Sequence, residues 1–196
     1  MKIRTFISVD INAESRRKVA DYIQKLKNDF KDVRVNWDKP EKLHLTLKFL
    51  GDADEIQLAE VQKIVAEIAE KQTKFTLSLS ENGVFPHPRN AKVLWIGVED
   101  KGGNLTKINE SLEKECKPVG FESEQRNYHP HLTIARIKDA CNSAELVKKH
   151  LETQIEPREF EVSEIVIYES KLQPSGSIYK KIFNAKLKNK ENLPAK

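Results

Sequence analysis

Cysteine is scarce in this sequence of 196 residues, which carries only Cys116 and Cys141. Two thiols without CxxC spacing exclude a disulfide-stapled scaffold and a thiolate metal site. Long apolar runs are missing as well. No stretch approaches the roughly 18 apolar residues that cross a bilayer, so no membrane partner is expected. The opening MKIRTFISVD turns acidic too soon for a secretory leader, and a cytoplasmic location is expected. Charge of one sign is not in large excess either, with 34 Lys and Arg against 30 Asp and Glu. The imbalance sits at one end. Residues 171–196 hold Lys171, Lys180, Lys181, Lys186, Lys188, Lys190 and Lys196 against Glu191 alone, which leaves the rest of the chain slightly acidic. Net charge is therefore poor evidence for a nucleic-acid partner. The stretch at about 188–196 reads as a basic tail that adds non-specific phosphate attraction or solubility.

Hydrophobic residues make up 38 % of the chain, enough for a sizeable core at this length. Apolar alternation predicts strands at 3–9, 43–50, 74–80, 92–98, 131–137, about 158–168 and 178–187. Helical spacing predicts four helices between them. Val19, Ile23, Leu26 and Phe30 mark the first, and Ile56, Val61, Ile64, Val65 and Ile68 the second, opened by a cap from Asp52 and Glu55. Leu105, Ile108 and Leu112 mark the third; Asn142 and Glu145 open the fourth. A turn is expected at Pro174-Ser175-Gly176. Several strands are too close together for parallel crossovers, which points to an α+β fold with largely antiparallel sheets.

One self-similarity organises the whole. KLHLTLKFLG (42–51) and HPHLTIARI (129–137) share a His-Leu-Thr-aliphatic kernel, nearly half the chain apart. Each kernel lies among similar elements, so a pseudo-two-fold pair of lobes is expected. Side chains two apart share a strand face. His44 and Thr46 thus stand opposite Leu43, Leu45 and Leu47, and His131 and Thr133 opposite Leu132 and Ile134. If the polar faces meet, two imidazoles and two hydroxyls line one cleft. That set can cleave a phosphodiester without metal. Imidazole titrates near pH 6.5, so one ring can accept the nucleophile's proton while the other donates one to the leaving oxygen. The hydroxyls can donate to the non-bridging oxygens. Paired histidines can instead hold a metal, but no HExxH or cysteine cluster supplies a third ligand. Two rivals remain: a metal-dependent phosphohydrolase, and a non-catalytic module that binds RNA ends.

The chain resembles the RNA 2′,3′-cyclic phosphodiesterases, also called 2′-5′ RNA ligases, of the two-histidine (2H) phosphoesterase superfamily. The carriers are Arg4-Thr5-Phe6-Ile7-Ser8-Val9-Asp10, Trp37, the two kernels, Phe85-Pro86, Val93-Leu94-Trp95-Ile96-Gly97 and the stretch from Tyr168 to Tyr179. The resemblance implies one domain over 1–196, made of two interleaved lobes with helices on their outer faces and the active-site cleft between them. It implies metal-independent hydrolysis of RNA 2′,3′-cyclic phosphate ends to 2′-phosphomonoesters, without cofactor, by a monomer. Fragments of transfer RNA are among the candidate substrates. By position, His44 is implied as the proton donor and His131 as the proton acceptor; the residues alone leave that division open. The family also implies the reverse transfer, in which an RNA 5′-hydroxyl replaces water and a 2′-5′ linkage forms.

Around the kernels, Phe49 is a candidate base-stacking residue although strict alternation turns it off the catalytic face. Arg136 is a candidate phosphate contact, and lies on the core side unless the strand bulges. Lys48 shares the His44 face by the same count, with a solvated position favoured. His129 and His87 read as loop residues, His150 as a helix-end charge, and Trp37 and Trp95 as packing residues.

Overall fold

The computed structural model describes residues 2–139, 142–173 and 176–189. The expected turn at Pro174-Ser175, the tail beyond Asn189 and Cys141 lie outside them. Nine strands and four α-helices alternate along the described chain: β1 (Ile3–Asp10), α1 (Ala13–Asp29), β2 (Val35–Trp37), β3 (His44–Ala53), α2 (Glu55–Glu70), β4 (Phe75–Phe85), β5 (Val93–Glu99), α3 (Asn104–Cys116), β6 (His131–Ile137), α4 (Ala144–Glu152), β7 (Glu159–Val162), β8 (Glu164–Lys171) and β9 (Ile178–Lys186). Among them no helix is long and apolar enough to cross a membrane.

The strands form a curled antiparallel sheet in the order β7-β4-β5-β6-β3-β1-β8-β9, with β2 paired to β6. From the seam between β3 and β6 outward, four strands run to each side. The halves are exchanged in chain order: β4 follows α2 yet pairs with β5, while β8 follows α4 and β7 yet pairs with β1. At the seam the sheet is thin. β3 meets β6 through the single pair Leu45↔Leu132, and β2 takes over along β6 from Trp37↔Ala135 to Val35↔Ile137. Under the sheet lies one core. Ile7, Leu45, Leu47, Leu94, Ile96, Leu132 and Ile134 pack against Val19, Ile23 and Leu26 of α1, Val61 and Val65 of α2, and Leu105, Ile108 and Leu112 of α3. Burying each such side chain contributes about 1.5–3 kcal/mol.

Helix starts differ from the sequence expectation for local reasons. β3 continues through Gly51↔Thr5, Asp52↔Arg4 and Ala53↔Ile3, so Asp52 is a ladder residue and cannot cap. The capping box opening α2 is Asp54 with Gln57. Ile56, in that first turn, is exposed rather than part of the buried stripe. At α4 the N-cap is Ser143, and Asn142 Nδ2 donates instead to Asp139 Oδ2 at 3.1 Å. His150 is no helix-end charge. It is fully buried, takes the Tyr22 hydroxyl on Nδ1 (2.9 Å), and donates from Nε2 to the Gly83 and Trp95 carbonyls (3.1 Å each). Burial lowers its pKa and pushes the Tyr22 hydroxyl up to about 12, so the link is neutral.

Candidate active site

β3 and β6 are neighbours at the seam, and their polar faces open on the same side of the sheet. His44 and Thr46 stand on one strand, His131 and Thr133 on the other, each half-buried between fully buried leucines and isoleucines. One device orients both imidazoles. His44 Nδ1 lies 2.6 Å from the Lys42 carbonyl, and His131 Nδ1 lies 2.7 Å from the His129 carbonyl. A carbonyl oxygen only accepts, so each Nδ1 carries the proton and each Nε2 is left for chemistry. His44 Nε2 also sits 3.1 Å from the Thr46 hydroxyl, which donates to the neutral ring and accepts from the charged one.

The turns that present these carbonyls are themselves held. Arg16 of α1 donates to the carbonyls of Pro40 (2.6 Å) and Leu43 (3.1 Å), either side of Lys42, and to that of Ile11 (3.2 Å). Across the seam, the Tyr128 hydroxyl donates to the Thr46 carbonyl (3.1 Å) and Asn109 Nδ2 to the Leu47 carbonyl (2.7 Å). Lys48, expected as a solvated cation beside His44, is 3 % exposed and points the other way, onto Glu113 Oε2 (2.6 Å) and the Glu122 carbonyl (2.9 Å). These ties fasten the segment leading to His131 onto the strand that carries His44.

A bulge explains Lys48, Phe49 and Arg136 together. In β3 the register steps from Ser8↔Thr46 to Ile7↔Lys48, so Leu47 is an extra residue. In β6 it steps from Trp95↔Thr133 to Leu94↔Ala135, so Ile134 is extra. An added residue reverses the alternation beyond it. Burial records the same sequence in both strands: site, core, site, core, core, site. Lys48 and Ala135 therefore go inward, while Phe49 and Arg136, each five residues after a kernel histidine, return to the histidine face. Phe49 is 69 % exposed, with its ring 6.2 Å from Phe6, which in turn stacks on His44 at 4.7 Å.

The two rings sit in different fields. Around His44 are Phe6, Tyr168 and Tyr179; around His131 are Phe85, Trp95 and the imidazole of His129. Burial lowers both imidazole pKa values and is the largest effect on each. For His44 the Lys42 carbonyl and the Asp10 carboxylate work against that lowering, whereas Arg16 and His131 add to it. For His131 the His129 carbonyl opposes it, and the charges of His129 and Arg136 add to it. A carboxylate thus favours the charged form of His44, and a guanidinium disfavours that of His131. Asp10 is Cα partner of His44 and accepts from the Tyr168 hydroxyl at 2.9 and 3.1 Å. Alternation with buried Ile7 and Val9 already placed Asp10 on the polar face, a signal sequence reasoning passed over. Arg16 and Tyr128 left none, because they act through carbonyls distant in sequence.

A pH consequence follows. A base must be neutral and an acid charged, so kcat/KM rises through the first pKa and falls through the second. Both imidazoles lie below 6.5, and the optimum is expected below that pH. Asp10→Asn removes a group that raises His44 and should move the alkaline limb to lower pH. Arg136→Ala removes a charge that lowers His131 and should move the acidic limb to higher pH. Initial rates across the acidic and neutral range measure both; limbs that stay in place would refute the assignment of these fields.

Among the described residues no group of three or more His, Cys, Asp or Glu is arranged to hold a metal ion. This curled antiparallel sheet with helices packed against it is a LigT-like fold. The fold recurs in TT0787 of Thermus thermophilus (TM-score 0.79, 22 % identity, 96 % of this chain and 100 % of that one) and in Escherichia coli LigT complexed with 3′-AMP (0.76, 23 %, 95 % and 99 %). The chain belongs to the 2′-5′ RNA ligase superfamily, whose profile matches residues 15–173. Among curated relatives, the RNA 2′,3′-cyclic phosphodiesterase of Methanothermobacter thermautotrophicus is 36 % identical over 182 residues, 91 % of this chain and 96 % of its own. That of Thermotoga maritima is 32 % identical over 181 residues, 92 % and 94 % respectively.

Proposed function

We propose that this protein hydrolyses RNA 2′,3′-cyclic phosphate ends to 2′-phosphomonoesters without metal, with His44 as general acid and His131 as general base. The observation that carries the reading is the pair of imidazoles, each pinned through Nδ1 so that both Nε2 atoms serve one cleft. In the reaction a water proton passes to His131 Nε2 as its oxygen bonds to phosphorus. The bond from phosphorus to the 3′-oxygen breaks, and that oxygen takes the proton of His44 Nε2. Each proton transfer contributes a factor of roughly 10²–10⁴. The division of roles is supported by Asp10 beside His44 and Arg136 beside His131. Thr46 and Thr133 donate to the non-bridging oxygens where charge gathers. Phe49 stacks on the terminal base and Arg136 pairs with phosphate, each turned to the cleft by its bulge.

The names of the relatives support the substrate class. The protein is read as one domain of two interleaved lobes over 1–196, a cytoplasmic monomer, with transfer-RNA fragments among its substrates. An RNA oligonucleotide ending in a 2′,3′-cyclic phosphate, incubated with and without EDTA, tests the reading. Turnover to the 2′-phosphate at an unchanged rate in chelator is expected. Loss of turnover restored by added metal would point to the metal-dependent hydrolase, and binding without turnover to the RNA-end module.

A further inference from the structure

The terminal nucleoside of an RNA with a 2′,3′-cyclic phosphate end is joined to the rest of its chain through the 5′-oxygen alone. That nucleoside carries the departing 3′-oxygen, which places it on the His44 half of the cleft, against Phe6 and Phe49. The preceding nucleotide must then lie beside it, outside the catalytic centre. Phe49 marks the place. The residue is 69 % exposed, and one side of its ring looks toward the cluster of Phe6, His44 and Tyr179. A cavity of about 430 Å³ adjoins Phe49 and shares no wall with that cluster, so it opens on the far side of the ring. Clefts that hold small ligands run from about 300 to 1,000 Å³. Its walls include Asp52 near the end of β3, Gln57 in the first turn of α2, and Phe121 and Glu122 after α3. These walls are held. Gln57 Nε2 donates to the Val119 carbonyl at 3.1 Å, Phe121 is buried, and the Glu122 carbonyl accepts from Lys48 at 2.9 Å. Arg4 stands at the rim. It is the ladder partner of Asp52, shares the Phe6 face of β1 by alternation, and its charge reaches Tyr179 of the His44 cluster. Among the described residues its guanidinium has no ion pair or hydrogen bond.

We infer that this cavity holds the penultimate nucleotide of the RNA, its base stacked on the outer face of Phe49 and its phosphate link to the terminal nucleoside lying on Arg4. The inference rests on the hydrolytic reading above and extends it from the reacting end to the polymer behind it. Phe49 is then a wedge between two successive bases, one on each face. The carboxylates of Asp52 and Glu122 keep the anionic linkage out of the cavity and at its Arg4 rim. Stacking on an aromatic ring is sequence-tolerant, so the subsite accepts any of the four bases. A cyclic mononucleotide covers the inner face alone and leaves the cavity empty, so RNA ends are preferred to free nucleotides.

Two substrates of equal charge isolate this subsite on the intact protein. One is adenosine 2′,3′-cyclic phosphate bearing a 5′-(methyl phosphate). The other replaces the methyl group by 2′-deoxyadenosine, joined through its 3′-oxygen, and the missing 2′-hydroxyl protects that linkage from cleavage. The dinucleotide is expected to show a kcat/KM about tenfold above that of the methyl ester, the fold-change one stacked base supplies. Phe49→Leu should slow both and cut their ratio severalfold. Glu122→Trp keeps the carbonyl bonded to Lys48, fills the cavity with an indole and should bring the ratio toward one. Both positions are exposed, so the fold is retained. Arg4→Ala should lower both rates severalfold and leave the ratio, because both substrates carry the phosphate. Equal kcat/KM for the two substrates, or a ratio untouched by both Phe49→Leu and Glu122→Trp, would overturn the subsite. Unchanged rates in Arg4→Ala would remove its phosphate contact. Turnover of neither substrate would instead remove the hydrolytic reading, and the subsite with it.

Discussion

Replacing His44 or His131 by alanine is expected to lower turnover about 10²–10⁴-fold, the largest effect any single substitution here should have on activity. Neither ring supports the fold. Each is half-buried at the cleft and its Nδ1 bonds a carbonyl two residues away, so melting temperature and RNA affinity should change little. The two variants are distinguishable. His44→Ala should lose the alkaline limb of the pH profile and His131→Ala the acidic one, although in the wild type the limbs belong to the coupled pair. Thr46→Val and Thr133→Val should lose less, because each removes one hydrogen bond. Single-turnover rates on a cyclic-phosphate oligonucleotide measure all four. A histidine variant that kept nearly the wild-type rate would sink the acid–base pair.

Glu113→Ala is expected to produce the largest loss of stability, about 3–5 kcal/mol by urea denaturation. Its carboxylate is the charged partner of Lys48, whose side chain is 2 % exposed, and its removal leaves an ammonium in the core with the Glu122 carbonyl as its remaining bond. The same carboxylate accepts from the Glu124 amide at 3.1 Å, so the segment ahead of His131 should loosen as well. Removing both charges, as Lys48→Met with Glu113→Leu, should recover most of the stability, because desolvation of the pair opposes its attraction. If Glu113→Ala stayed within about 1 kcal/mol of wild type, the worth of an exposed pair, this one would be an ornament of the seam and not a tie across it.

Much of this site was legible in the chain because period-two alternation is a local property. His44 with Thr46, and His131 with Thr133, could each be put on the polar face of their own strand from the apolar spacing alone, and the pairing of β3 with β6 brings the two strands side by side. Alternation failed two residues after each threonine, at Lys48 and Ala135. A bulge is a matter of pairing between strands, and nothing in LKFLG or ARI announces it. Phe49 and Arg136 were therefore named for their chemistry and put on the wrong side by their count, and the same error turned Lys48 toward the cleft. Caps failed in a similar way. Asp52 and Asp54 are equally good cap residues, and the ladder partner Arg4, far earlier in the chain, decides between them. The exchange of β4 and β8 between the halves is likewise a long-range choice that no window of sequence contains.

The carbonyls that receive Nδ1 from His44 and His131 have a consequence for how the site tolerates change. Every residue type supplies a carbonyl, so substitution at Lys42 or His129 leaves the acceptor in place. The identity of the reactive nitrogen is thus inherited through the path of the main chain, not through any side chain. Drift at those two positions leaves unchanged which ring nitrogen faces the carbonyl and which is left for chemistry. What drift cannot touch without penalty is the path itself, which Arg16 and Tyr128 hold through the carbonyls of Pro40, Leu43 and Thr46.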